Sequence, residues 1–338
     1  MTLTLLILCL LGLTGYILVT GFHDAPNGVA VAVRTRALTP RTALLMSASL
    51  NFLGMLISAI VLNQFVVQWL SLPPNNVGLA MLLTALIAQI SWGLFTFWQR
   101  VPSSSAHALL GGIAGSLWAA RATDFPVANP FTEPIFTLFL IPLIAVPIVT
   151  FLISWTQVFL YSQLVSLTYP RTVNKISRNS MSVANSVISL IHGVQIGQRA
   201  VVMFAVICLA GGITASPWVT GLAMTVGALV LAVGTLMGGW RIGHTFAYKM
   251  VRLDPLRGAI AQGTTATVLT LSQLFLNTPV SSSHLAASSV LGAGVNQRFS
   301  ALRPGIVAKL LITWFSTMPV TFCLSAVLFL ALSPLLGG

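Results

Sequence analysis

Acidic residues are nearly missing from this chain. Among its 338 residues there are four, Asp24, Asp124, Glu133 and Asp254, against sixteen lysines and arginines. Charged residues of both signs amount to 6%, where a soluble domain carries about 25%. So few charges cannot cover a water-facing surface, and lipid must replace water around most of the molecule. The net charge of +12 does not point to nucleic acid, because the basic residues are spread over short connecting segments and form no groove. Cysteine is scarce as well. Cys9, Cys208 and Cys323 all lie in apolar runs and imply neither a disulfide framework nor a metal cluster. Nothing matches the Gly-x-x-x-x-Gly-Lys-Ser/Thr loop, so no nucleotide is expected as an energy source. The serine-rich loops lack a nucleophile–base–acid arrangement, so no enzyme activity is expected either.

Apolar sequence is what the chain has in quantity: 56% hydrophobic residues and a mean hydropathy of +0.95. Runs near 3–20, 42–66, 79–98, 135–155, 217–236 and 306–332 have the length to cross a hydrocarbon core of about 30 Å as helices. The N-terminus has no basic region ahead of its apolar run, so 3–20 reads as a retained first membrane helix, not a cleaved signal. The expected class is an all-α polytopic membrane protein.

Polar sequence breaks into these runs twice in the same form. Pro102-Ser103-Ser104-Ser105-Ala106-His107 has a counterpart 177 positions later in Pro279-Val280-Ser281-Ser282-Ser283-His284. Small residues follow both, Gly111, Gly112 and Gly115 after the first, Ala286, Ala287 and Gly292 after the second. Non-helical backbone at membrane depth survives only inside protein or beside a polar cavity. Both stretches therefore read as broken or re-entrant hairpins, 102–115 and 279–292, whose helix N-termini point toward the membrane midplane. Free amide N–H groups and the positive dipole end make such a place suited to an oxyanion. The hydroxyls of Ser104, Ser105, Ser281, Ser282 and Ser283 add donors.

Asp24 is the one carboxylate inside an apolar stretch, within 21–28, and an intramembrane carboxylate is a functional candidate by default. With Asn27 it offers oxygen ligands to Na+, or a site for H+. A structural ion pair of Asp24 with Arg199 is the alternative. His23, His107 and His284 read as side chains that hold these groups in place. In the second half a polar stretch at 192–199, with His192, Gln195, Gln198 and Arg199, is expected to form the corresponding break. Arg199 there either faces a bound anion or reaches for the membrane edge.

Placing the basic stretches 34–41, 171–178, 241–257 and 298–303 on the inside puts both termini outside. The two serine loops are then entered from opposite sides. The expected organisation is an inverted repeat: a first unit over 1–165, a basic cytoplasmic linker over 166–180, and a second unit over 181–338.

Gly21-Phe22-His23-Asp24-Ala25-Pro26-Asn27, Arg36-Ala37-Leu38-Thr39-Pro40, Gly238-Gly239-Trp240-Arg241 and the two serine motifs together resemble the inorganic phosphate transporter (PiT) family. The likeness covers nearly the full length. It implies secondary active transport of inorganic phosphate across a bacterial cytoplasmic membrane, coupled to H+ or Na+, in a homodimer embedded in lipid. Some relatives carry phosphate as a complex with a divalent metal, and some carry sulfate. By this resemblance the substrate would meet Asp24, Asn27, Ser104, Ser105, His192, Gln195, Arg199 and Ser281 to Ser283, with Asp24 and Asn27 also serving the coupling ion. His23, His107, His284 and Gln262 would support them. The family's second signature continues with Asn-Asp where this chain has Gln195-Ile196, and Gln262 stands where many relatives place a glutamate. That difference makes a sulfate or other oxyanion permease the second reading, and a non-transporting phosphate sensor a third.

Overall fold

The computed structural model describes residues 1–58, 60, 72–130, 134–251, 253–276, 280–295 and 303–336, with the backbone alone at 134–140, 247 and 276. Pro279, Glu133, Arg252 and Arg298, which figure in the reading above, lie outside the described residues. Every regular element among those described is helical. In order they are α1 Thr2–Asp24, α2 Pro26–Arg34, α3 Pro40–Ile57, α4 Asn76–Trp98, α5 Ser105–Ala122, α6 Pro134–Leu164 and α7 Pro170–Ala210. There follow α8 Pro217–Met237, α9 Trp240–His244, α10 Pro255–Leu271, α11 Ser282–Val295 and α12 Pro304–Leu332. Thr245–Met250 and Ser272–Leu276 are π-helical turns.

The helix starts follow a local rule. Thr39, Ser216 and Asp254 each precede a proline and accept a hydrogen bond from the backbone N–H three residues on. A capping oxygen satisfies one orphan donor, and proline at the first position loses nothing because its N–H would be unpaired there. Asn75 caps α4 in the same manner through Val77 and Gly78.

Among the described residues six spans are long and apolar enough to cross a membrane: Thr2–Arg34, Asn76–Trp98, Ile141–Leu164, Pro170–Ala210, Pro217–Met237 and Pro304–Leu335. Leu152, Phe159, Leu222, Leu229, Ile312 and Val327 are exposed on them. Asp24, Asn27, Asn51, Asn185, His192, Gln195, Arg199 and Gln262 are buried. Apolar outside and polar inside is the distribution that lipid as solvent requires.

Three segments differ from the sequence reading. The 192–199 stretch is no break: α7 runs unbroken through it for 41 residues. Between Pro170 and Pro217 there is no proline to remove a ladder bond, so polar side chains ride on intact helix. Residues 170–180, assigned to the linker, are the first turns of that same helix. At 1.5 Å per residue α7 is about 60 Å long, twice the hydrocarbon core, so its basic start with Arg171, Lys175 and Arg178 has length to stand in water. Much of 241–257, read as a loop, is likewise helical, in α9, the π turn and the start of α10.

The helices pack in matching sets. α5 lies on α4 and α12, as α11 lies on α10 and α6. α1 packs on α4 and α8, as α7 packs on α10 and α3. α3 meets α8, and α1 and α2 meet α7. The centre of this arrangement is where α1 ends, α2 begins, α7 passes, and α5 and α11 start.

Candidate functional site

Asp24 is the last residue of α1 and Asn27 the second of α2. Ala25 between them keeps helical angles, φ −48° and ψ −41°, so the interruption expected over 21–28 shrinks to the ladder bond that Pro26 cannot make. This puts a carboxylate and an amide on successive turns of a nearly continuous rod, both buried.

The serine loops start their helices as repeats of one motif. His107 N–H donates to Ser104 Oγ at 3.2 Å, and His284 N–H donates to Ser281 Oγ at 3.3 Å. Ser104 and Ser281 are thus spent on capping. The next residues face the α1–α2 junction. Ser283 Oγ donates to Asp24 Oδ1 at 3.0 Å, and Ser105 Oγ to Asp24 Oδ2 at 3.3 Å. Asn27 Nδ2 reaches Ser282 Oγ at 3.2 Å and Ser283 Oγ at 3.1 Å. Asn27 Oδ1 has no hydrogen-bond partner among the described residues. The His107 and His284 rings stack, centroids 5.2 Å apart and 13° from parallel, so the two helix starts meet face to face. His284 also lies on the Trp314 ring at 4.2 Å.

Both oxygens of Asp24 also face an imidazole. His23 Nδ1 is 3.0 Å from Oδ1, and His192 Nε2 is 3.4 Å from Oδ2. His23 Nε2 sits among hydroxyls, 3.0 Å from Thr96 Oγ1 and 3.4 Å from Ser103 Oγ. The carboxylate accepts, so His23 donates from Nδ1 and its Nε2 accepts from a hydroxyl. His192 is held differently. Asn51 donates from Nδ2 to Thr235 Oγ1 at 2.9 Å, which turns its Oδ1 toward His192 Nδ1 at 3.0 Å. Nδ1 is therefore the donor in the neutral tautomer. Nε2 and Asp24 Oδ2 are then two acceptors face to face, with room for one shared proton.

Arg199 is 4% exposed in the middle of α7. Its Nη1 donates to Tyr16 Oη at 2.8 Å and approaches Ser105 Oγ at 3.5 Å, while Nε donates to the Gln195 carbonyl at 3.1 Å. It forms no ion pair with Asp24; among the described residues the partners at ion-pair distance from Asp24 are the His23 and His192 imidazoles, and Arg257 pairs with Asp254. Both alternatives for Arg199, a structural pair with Asp24 and a reach to the membrane edge, are overturned. It is a buried cation without a carboxylate, beside the first serine loop.

Gln262 donates from Nε2 to the Gly28 carbonyl in α2. Gln195 is buried on α7. Gln198 lies one position from Arg199 and accepts from Gln273 at 3.1 Å. No group of three or more His, Cys, Asp or Glu side chains among the described residues could hold a metal ion. A small cleft is lined by Asp24, Asn27, His192 and Ser282 together with Ser47, Asn51 and Ser189. Sequence reasoning missed those three, as well as Tyr16 and Thr96. The only signal was a lone amide, Asn51, in an apolar run.

The assembled groups are hydroxyl and amide donors, two converging helix starts, a buried guanidinium and one carboxylate. They suit an oxyanion that carries a proton.

Comparison with known proteins agrees with this chemistry. The model of the Phosphate transporter family matches residues 20–325. A Bacillus subtilis (strain 168) protein named "Probable low-affinity inorganic phosphate transporter" is 30% identical over 336 residues, 97% of this chain and 96% of its own. A Rhizobium meliloti (strain 1021) protein of the same name is 29% identical over 92% of this chain and 91% of its own. Among solved structures, "The sodium-dependent phosphate transporter" superposes with a TM-score of 0.79 at 20% identity, covering 98% of this chain and 99% of that one. That likeness establishes the fold. With the family model matched from just before Asp24 to beyond the second serine loop, the chain belongs to the phosphate transporter family.

Proposed function

We propose that the chain carries inorganic phosphate across the bacterial cytoplasmic membrane by secondary active transport, through alternating access at the Asp24 site. The observation that carries this reading is the meeting of Asp24 and Asn27 with Ser105, Ser282 and Ser283 at the starts of α5 and α11. In the bound state phosphate takes the place of Asp24 and Asn27 as partner of these hydroxyls, and Arg199 and His192 face it from α7. Asp24 also selects. A carboxylate accepts the proton of a phosphate hydroxyl, whereas fully ionised sulfate offers only acceptors and is repelled. Sites built around one hydrogen bond reject the analogue that lacks it strongly.

The coupling ion is H+ or Na+. The Asp24–His192 contact favours H+, since Asn51 leaves one proton to be shared there. Na+ would need the oxygens of Asp24 turned away from their present donors, while Asn27 Oδ1 faces none among the described residues. Two copies form a homodimer in lipid, with the termini outside. Light scattering on detergent-solubilised protein tests the dimer, and a monomeric mass would count against it.

The decisive measurement is uptake of radiolabelled phosphate by proteoliposomes under imposed pH or Na+ gradients. Wild type takes up phosphate, and tenfold excess sulfate leaves the rate nearly unchanged. Asp24→Asn and Ser282→Ala each reduce uptake to below about a tenth, a loss of ~1.4 kcal/mol or more. Absence of uptake under every gradient, in protein shown to be folded, would sink the proposal.

A further inference from the structure

Away from the Asp24 site, a second polar hollow opens at the end of α4. It is lined by Arg100, Lys249 and Lys309, with Gln99, Thr245 and Val101 among its other walls. The three cations come from three elements: the turn after α4, the π turn and α12. The carbonyls that end α4 account for part of this charge. Lys309 Nζ donates to the Gln99 carbonyl at 3.0 Å and to Gln99 Oε1 at 3.2 Å, and Thr245 Oγ1 donates to the Arg100 carbonyl at 2.7 Å. Outside the hollow, Arg241 Nη2 approaches the Trp98 carbonyl at 3.5 Å. Cations at a helix C-terminus are expected from its dipole.

That explanation does not reach Arg100 or Lys249. Neither side chain forms a hydrogen bond or ion pair with any described residue, and no described carboxylate lines the hollow. Arg100 also sits in the left-handed region, φ +61°, where its N–H donates to the Phe97 carbonyl and that of Val101 to the Thr96 carbonyl. Glycine adopts that conformation at no steric cost. Arginine there keeps a charge over the hollow in spite of the backbone preference.

We infer that Arg100, Lys249 and Lys309 form a second site for a phosphate group, separate from the Asp24 site and opening on the face that carries the basic segments. Its floor, Val101, leads within two residues to Ser103, which is 3.0 Å from Thr96 Oγ1 and 3.4 Å from His23 Nε2. An anion that left the central site toward this face would come near these cations. The inference rests on the proposed phosphate transport only for that last role; binding itself does not depend on it. The group bound is either free phosphate or the headgroup phosphate of an anionic lipid.

The test uses full-length protein carrying Ser282→Ala, which weakens the central site, with and without Arg100→Gly and Lys249→Gln. Arg100→Gly removes the charge while suiting the left-handed turn, and an unchanged melting temperature verifies folding. Should the double variant not fold, Lys249→Gln alone and the charge-keeping Arg100→Lys take its place. Equilibrium binding of radiolabelled phosphate is measured in detergent, and retention of phosphatidylglycerol by native mass spectrometry. At least a tenfold loss of phosphate binding identifies free phosphate as the ligand. Loss of phosphatidylglycerol retention with phosphate binding unchanged identifies the lipid headgroup. Charge-removing variants that keep both in full overturn the inference. Wild-type uptake is measured alongside, so that failure of transport and failure of this site are told apart.

Discussion

Arg199 and Asn51 show what single residues contribute to this site. A guanidinium buried without a carboxylate is costly in a membrane unless an anion visits it. Arg199→Lys keeps the charge but loses the planar fork, and the KM for phosphate uptake is expected to rise about tenfold, ~1.4 kcal/mol of binding. Arg199→Met is expected to remove measurable uptake. An unchanged KM in Arg199→Lys would assign the residue to packing with Tyr16. Asn51 acts through His192. With Asn51→Leu, Nδ1 of His192 loses its acceptor and Nε2 becomes free to donate to Asp24. The dependence of uptake on the pH gradient is then expected to weaken while phosphate still binds, which initial rates with and without the gradient would show. Asp24 was legible in the sequence because a carboxylate in apolar surroundings stands out, and the serines because they recur. Asn51 was not, because one amide in an apolar helix carries no spacing.

At the scale of elements, the contact between α3 and α7 decides where Asn51 and His192 sit. Gly54 and Gly193 face each other there. A Cβ on Gly193 would lie 2.9 Å from the Asn51 Cα and carbonyl carbon, and one on Gly54 would lie 2.9 Å from the Val194 N. These neighbours are backbone and cannot swing aside. Gly193→Ala is therefore expected to push α3 from α7, destabilising the protein by about 1–3 kcal/mol. A lower melting temperature together with reduced uptake checks this, and a variant with wild-type values in both would refute the tight contact. Ser, Thr or Asp ahead of Pro marks helix starts at Thr39, Ser216 and Asp254, a local signal that the reading of 241–257 as a loop passed over. The continuity of α7 was not readable: polar composition over 192–199 resembles a break, but with no proline the ladder simply continues, and the polar side chains find partners on α1, α3 and α5.

For the whole molecule, the helix contacts come in matching sets, and the expected inverted repeat would run the two halves antiparallel across the membrane. Cysteine labelling with an impermeant maleimide tests this. Arg41→Cys, after the first helix of one half, is expected to react only from inside, and Thr214→Cys, after α7, only from outside. Labelling of both from one side would mean that the halves run parallel. The sequence alone determined the solvent, through the shortage of charge and the apolar runs, and the doubled serine motif with its lone carboxylate. Those properties are local or compositional, so they need no neighbours to be read. Tertiary structure decided the rest: that Ser104 and Ser281 cap while Ser105, Ser282 and Ser283 point at the α1–α2 junction, that Arg199 stays away from Asp24, and that Asn51 sets the face His192 presents. Each depends on which helix packs beside which, over separations as long as the 259 residues between Asp24 and Ser283, and such pairings leave no mark in local composition.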